Sequence, residues 1–393
     1  MTSPTSTQKY LVSDCDLGEE EALAVADVVR SKWLSVGPRT AEFEETFAKH
    51  MDAPFAVAVA NCTAALHLAL MAVGVGPGDE VLVPSYTFVA SANAVLYCGA
   101  TPVFVDINGP HDLNMNMDDL ATKITPKTKA VVAVHMCGFA VDLDRLMTLS
   151  SEHGFSVVED ACHGIGATYK GSPNSPHQGK KLGTIGHAGC FSFFANKNLV
   201  TGEGGMVITR DEAIAKHVRL ARSHGMTKTS WDKASGRAQG YDVVQLGYNY
   251  RGTELTAALG LIQLRKLDAN NAQRQKLVAH YRQQIPADLP LTIPFANRLN
   301  DSAHHVFAII LDDPAQQHPL REALTKLNVQ TTHHYPPVHQ FSHYKTLVGD
   351  VDLPHTQDIS PREVTLPLHP LLTTEDVDVI VARLIQAFAE TKC

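Results

Sequence analysis

Between about residue 55 and residue 210 the chain alternates short apolar runs with stretches of helical period, and this alternation narrows the possible folds more than any other feature. Ala56–Ala60, Glu80–Val83, Pro102–Asp106, Ala130–His135, Phe155–Asp160, Cys190–Phe194 and Gly205–Thr209 are short and apolar, and they read as buried parallel strands. Helical patterns lie between them: Thr63–Val73 with Thr63 as its N-cap, Ala90–Tyr97, and Leu143–His153. Alternation of this kind predicts an α/β core around a mainly parallel sheet.

After this region the pattern changes. Glu254 to about Gln284 contains no proline and carries an apolar stripe through Leu255, Ala258, Leu259, Ile262 and Leu267, so a long helix is expected. Pro286, Pro290 and Pro294 end it. Beyond them the sequence predicts a strand at His305–Leu311, a helix near Leu320–Leu327, a strand at Val329–His333 and a last helix at Thr374–Ala389. The expected division is a large domain over residues 1–284, with the N-terminal segment, and a smaller C-terminal α/β domain over 285–393. Residues 171–181 and 226–240 read as exposed loops.

Charge and cysteine usage exclude several functions. The net charge is −8 and no basic block occurs, which argues against nucleic acid as a partner. Cys15, Cys62, Cys98, Cys137, Cys162, Cys190 and Cys393 form no C-x-x-C pair, and scattered thiols fit a reducing, cytoplasmic setting. The polar stretch Met1–Tyr10 lacks a signal peptide's apolar region, and no run approaches the length of a membrane span. The histidines are spread along the chain, and no metal site is expected.

Four short segments carry chemistry. In CFSFFANKNLVTGEGG (190–205) a strand ends and Lys197 follows at once. An unpaired ammonium is costly to bury, and forming an imine with an aldehyde removes much of that cost. The plain alternative is a surface lysine after an edge strand. In VVEDA (157–161) an apolar strand ends in carboxylates, and Asp160 is placed to pair with a protonated pyridine nitrogen or simply to cap a turn. Thr63 and Ala64 open an apolar helix, where free N–H groups favour an anion such as a phosphate. Phe88, in PSYTF, is either a core aromatic or a ring that stacks on a flat cofactor. Phosphate cup, stacking aromatic, ring carboxylate and lysine all fall at strand ends of one domain, as a single pyridoxal-phosphate site requires.

These motifs give the chain its family likeness. NCTAALHLAL, GDEVLVPSYTFVAS, VVEDACHGIGA, GCFSFFANKNLVTGEGGMV, LGYNYRGTELTAALGLIQL and HYPPVH resemble the DegT/DnrJ/StrS aminotransferases, from about Leu17 to the C-terminus. These are pyridoxal-phosphate enzymes of the type I, aspartate-aminotransferase-like fold that act mostly on nucleotide-linked keto-sugars. The resemblance implies that Lys197 carries the cofactor as a Schiff base, that Asp160 pairs with its ring nitrogen, and that Ser192, Thr63 and Ala64 bind its phosphate. It puts Phe88 on the ring and His163 beside it. Asn249 corresponds to an asparagine that reaches the cofactor phosphate of the neighbouring subunit, implying a homodimer with shared active sites. His334 and Tyr335 fall in a segment that approaches the substrate, and Arg251 is a candidate for anionic groups. His187 replaces the aspartate that commonly ends this loop, a change expected to touch substrate choice.

The implied reaction takes nitrogen from glutamate or glutamine and gives it to a nucleotide-linked keto-sugar. His163 favours C-4 of a 4-keto-6-deoxyhexose, and lysines of loops 171–187 and 226–240, with Arg237, are expected to meet the diphosphate. The alternatives are amination of a cyclitol ketone (an inosose) and a pyridoxal-phosphate-binding regulatory protein without turnover.

Overall fold

In the computed structural model, which describes residues 8–228, 230–236 and 239–391, every strand of the seven-stranded central sheet but one runs the same way. Arg237, Cys393 and the first residues after Met1 lie outside the described residues. In chain order the strands are β1 (Phe55–Val59), β2 (Glu80–Pro84), β3 (Thr101–Val105), a small hairpin of β4 (Ile107–Gly109) and β5 (Asp112–Met115), then β6 (Thr128–Val134), β7 (Ser156–Asp160), β8 (Ala188–Ser192) and β9 (Gly205–Thr209). The central sheet has the order β1-β9-β8-β7-β6-β2-β3.

The exception is β9, which pairs antiparallel with both β8 and β1. This corrects the expectation of a parallel strand at Gly205–Thr209. The link from β8 to β9 spans residues 193–204 and contains no helix, so the chain turns straight back with Ser192 opposite Gly205. The turn carries Lys197.

Side-chain alternation explains how the sheet is covered on both faces. Val81 and Val83 pack with Val132, Cys190 and the helix Cys62–Ala72, whereas Leu82 joins Val131, Ala133 and Val157 on the other face. Phe191 and Phe193 pack against Phe43 and Phe47 of the helix Pro38–His50. The helix Cys62–Ala72 is capped by Asn61, whose side chain accepts the amide hydrogen of Ala64 at 2.9 Å, and not by Thr63 as expected. Thr63 lies inside the first turn instead.

The long helix is Glu254–Gln284, bounded by the Thr253 cap and by Pro286. Its last turns, through Leu277, Val278 and Tyr281, join a second core with Tyr10, β11 (Phe307–Leu311), β12 (Glu363–Leu366) and the helix Thr374–Thr391. β10 (Leu291–Thr292) completes a three-stranded antiparallel sheet here. The strand expected at Val329–His333 does not form. Val329 makes a single bridge to Tyr10 and Thr332 a single bridge to Thr365, after which the chain leaves for the cavity described below, and Pro336 and Pro337 offer no N–H to prolong a ladder. Among the described residues no helix is long and apolar enough to cross a membrane.

Candidate active site

The carboxyl ends of β7 and β8, the start of the helix Cys62–Ala72 and the turn 193–204 open on one cavity of ≈640 Å³, closed on its other side by residues 332–336. In an open α/β sheet this is where ligands bind. The two carboxylates that end β7 divide by strand alternation. Glu159 is fully buried and points away, accepting hydrogen bonds from His135 Nε2 and the amides of Gly183, Ile185 and Gly186 at 2.6–2.8 Å. Burial pushes its carboxyl upward, but those donors outweigh it and hold the group below the usual carboxylate range. Asp160 lines the cavity. Its Oδ2 accepts from Ser91 Oγ at 2.8 Å and its Oδ1 from the amide of Cys162 at 3.3 Å.

Lys197 does not follow its strand directly. β8 stops at Ser192, and the turn Phe193–Asn196 intervenes, with Phe193 in the core and Phe194 on the cavity wall. The lysine's stem keeps some exposure, but its ammonium end is enclosed, and that burial lowers its pKa against the opposing pull of Cys162, Asp160 and Cys62. Nζ lies 3.3 Å from Nε2 of His305.

His163 stands against His305, ring centroids 4.3 Å apart, and its Nε2 lies 3.0 Å from the Tyr335 hydroxyl. Nδ1 of His163 is buried with no hydrogen-bond partner among the described residues. Burial, then the charge of Lys197, keep this imidazole neutral by lowering its pKa. His334 is driven down to about 3, mainly by burial, and its Nδ1 meets Thr365 Oγ1 at 2.9 Å. Phe88 is 58% exposed, a large value for a phenyl ring, and it faces the cavity opposite Tyr335.

Thus Lys197, Asp160, His163, Thr63, Phe88, Ser192, His334 and Tyr335 share one cavity. Four of the residues singled out in the sequence, Ala64, Asn249, Arg251 and His187, do not line it. Ala64 is buried and its amide is taken by Asn61. Asn249 is exposed, bridged through its backbone to Ser223, and Arg251 bridges Val59. His187 sits at the far end of β7, where its Nδ1 accepts from the amide of Val157. The sequence reading missed Ser91, Asn198 and His305. Ser91 lies one helical turn after Phe88 in the quoted PSYTFVAS segment, a spacing that could have pointed to it.

Two thiols complete the floor. Cys62 and Cys162 have their sulfurs 3.0 Å apart, and with Asp160 they place three potential metal-ligand atoms within 4.8 Å of one another. Burial pushes the Cys62 thiol up to about 12, so at neutral pH it is protonated and a poor ligand.

The site fits pyridoxal phosphate on its own chemistry. It offers an enclosed amine, a hydrogen-bonded carboxylate, the exposed ring of Phe88, the His163 ring on the cavity wall with an unpartnered buried nitrogen, and hydroxyls of Thr63 and Ser192 beside a helix N-terminus.

Comparisons with known proteins agree with this chemistry. The DegT/DnrJ/EryC1/StrS aminotransferase family is matched over residues 15–385. The spore coat polysaccharide biosynthesis protein SpsC of Bacillus subtilis is 39% identical over 375 residues, 93% of each chain. Helicobacter pylori PseC, an aminotransferase involved in the biosynthesis of pseudoaminic acid, has a similar structure, with a TM-score of 0.89 at 29% identity over 98% of this chain and 100% of that one. Spr1654 of Streptococcus pneumoniae, solved in a PLP-form, has a TM-score of 0.88 at 30% identity, covering 98% and 99%.

Proposed function

Since the chain belongs to the DegT/DnrJ/EryC1/StrS aminotransferase family and is a pyridoxal-phosphate-dependent aminotransferase, we propose that it moves an amino group from glutamate or glutamine to a nucleotide-linked keto-sugar. The observation that carries the reading is the convergence of Lys197 and Asp160 on one cavity from separate elements. SpsC, named for polysaccharide biosynthesis, and Spr1654, described as a candidate sugar aminotransferase, support a sugar as acceptor.

When bound, the cofactor supplies an aldehyde for nitrogen exchange and a ring that withdraws electrons as the substrate's α-proton leaves. Asp160, restrained by Ser91, would pair with the ring nitrogen and keep a proton on it. Thr63, Ser192 and the helix start at Cys62 would hold the phosphate, and Phe88 and His163 would contact the ring. Lys197 Nζ would take the proton from the donor's α-carbon, carry it as an ammonium and deliver it to the carbon that was the cofactor's aldehyde carbon. Its lowered pKa keeps more of it as free amine near neutral pH than an exposed lysine would have.

We assign the acceptor as a 4-keto-6-deoxyhexose aminated at C-4, on the strength of His163 beside the ring. His334 and Tyr335 border the space left for it, and a homodimer supplies Asn249 to the partner's cavity, which accounts for that side chain lying exposed and away from its own. Assay of the purified enzyme with a panel of nucleotide-linked keto-sugars and free inososes tests this. Amine formation on the 4-keto-6-deoxyhexose, inhibited by a nucleoside diphosphate, is expected. Efficient amination of an inosose without such inhibition overturns the assignment.

A further inference from the structure

Lys197 and His305 are joined by a chain of hydrogen bonds whose direction can be read from its far end. Asn271 Nδ2 donates to the carbonyl of Ile165 at 3.0 Å, so the Oδ1 of Asn271 is free to accept. It accepts from Asn198 Nδ2 at 2.8 Å, and Asn198 Nδ2 also donates to the carbonyl of Ala303 at 2.7 Å. Both hydrogens of that amide are therefore used, and its Oδ1, an acceptor only, faces His305 Nδ1 at 3.1 Å. The proton of this contact must lie on Nδ1. In a neutral imidazole Nε2 is then a bare acceptor, and it is Nε2 that stands 3.3 Å from Lys197 Nζ.

The surroundings keep the imidazole neutral. His305 is 4% exposed, and the groups that face it are Lys197, His163, His334 and Arg274, whose Nη1 is 3.4 Å from the His305 carbonyl oxygen. None of these is acidic, so a second proton on His305 would be repelled. The groups facing Lys197 from the other side are Asp160, Cys62 and Cys162.

We infer that His305 is a positioning residue for Lys197: locked by Asn198 as the Nδ1–H tautomer, it accepts one N–H of the lysine at Nε2 and so fixes Nζ while leaving the amine's lone pair to the cavity. The inference rests on the proposed role of Lys197. A neutral acceptor suits that role because both the ammonium and the free amine have an N–H to give. A carboxylate at this position would instead hold the ammonium, raising its pKa by about one to three units.

The test uses the cofactor-free protein, full length. Nitrogen NMR of histidine-labelled protein at neutral pH should show His305 with a protonated Nδ1 and an unprotonated Nε2. The opposite tautomer, or an imidazolium, overturns the inference without any variant. Competitive acetylation, read by mass spectrometry on the Lys197 peptide across pH, gives the midpoint of the amine. His305→Leu should lower that midpoint by about one unit, the scale of a lost hydrogen bond to a charged group. His305→Gln, which keeps an acceptor, should restore most of it, and His305→Glu should raise it above wild type. A midpoint unmoved in all three sinks the inference. If the leucine variant does not fold, the Gln and Glu variants still decide. Borohydride fixation of added pyridoxal phosphate separates the two failures. Fixation at Lys197 with an unmoved midpoint removes His305 alone, whereas fixation at another lysine removes the underlying role of Lys197 as well.

Discussion

Ser91 donates a 2.8 Å hydrogen bond to Oδ2 of Asp160, tying the start of the helix Ala90–Tyr97 to the end of β7. The carboxylate that faces the cavity is therefore oriented by a neighbouring element before any ligand arrives, and Thr87 Oγ1 in turn lies 3.0 Å from Ser91 Oγ.

Asp160→Asn keeps the shape of this arrangement and removes the charge. Turnover should fall by about a hundredfold or more, in line with the loss of a group that controls a proton in the reaction. Ser91→Ala keeps the carboxyl group but removes one of the two donors that orient it, and a loss of about tenfold is expected from the lost bond. Steady-state kinetics on both variants, with circular dichroism to establish folding, checks the order. Equal activity in Asp160→Asn and wild type would show that another group keeps the ring nitrogen protonated.

Glu363 gives the fold a distinct pH response. It is fully buried, accepting from the His334 amide at 2.8 Å and from Thr365 Oγ1, and burial pushes its carboxyl up to about 8 from an ordinary 4.5 despite those donors. The folded state thus binds a proton that the unfolded state has released between these values. The stability this contributes is complete below the unfolded value and is lost as pH rises through the folded one. Wild type should lose stability relative to Glu363→Gln as pH rises from 5 to 9, by an amount on the order of a few kcal/mol across the range. A slope unchanged by the substitution would assign the response to other groups.

Asn61 and Gly205 together shape the helix start at the cavity. Asn61→Ala removes the cap and should cost about 1 kcal/mol in chemical denaturation. A Cβ on Gly205 would lie 2.5 Å from the carbonyl carbon of Asn61 and 2.8 Å from the amide nitrogen of Cys62, both backbone atoms that cannot swing aside. Gly205→Ala should therefore weaken pyridoxal-phosphate binding more than Asn61→Ala does, as measured by fluorescence titration. The reverse order would mean that the cap, not the approach of β9, sets the position of this end.

Asn249 tests the assembly. If a second copy of the chain supplies it, an inactive Lys197→Ala protein mixed with an inactive Asn249→Ala protein should recover up to about a quarter of wild-type activity, because random exchange pairs one intact set of residues in half of the dimers. Sedimentation should report a dimer. Full activity in a monomer would remove Asn249 from the site.

Much of this was legible in the sequence where local pattern and burial coincide. β9 and the helices Ala90–Tyr97, Leu143–His153 and Glu254–Gln284 have the bounds that their patterns suggested, since each lies between clear breaks or is apolar throughout. Lys197, Asp160 and Phe88 were visible because each ends or shortly follows such a run, whereas Ser192 came from the family likeness alone. Direction was not legible: an apolar strand reads the same whether it pairs parallel or antiparallel, and β9 proved to be reversed. Nor was β12, four residues long and opened by a buried glutamate where polarity argues for a surface. His305 escaped because its contact with Asn198 joins residues 107 positions apart, and no local pattern encodes that meeting.

The reversal of β9 has a consequence for how this chain can tolerate change in length. Loop 171–181 lies mostly on the surface, and an added residue there can bulge into solvent. The turn 193–204 has no such freedom. Both its legs are inner strands held in register from Ser192↔Gly205 to Gly189↔Ile208, and Thr201 N and Phe193 N are bonded back across it to Phe193 O and Gly204 O. One extra residue must either slip β9 against both neighbours, which turns its side chains to the wrong face, or rotate the segment bearing Lys197. In a library of single-residue insertions and deletions, this stretch should be as empty of active clones as the codon for Lys197 itself.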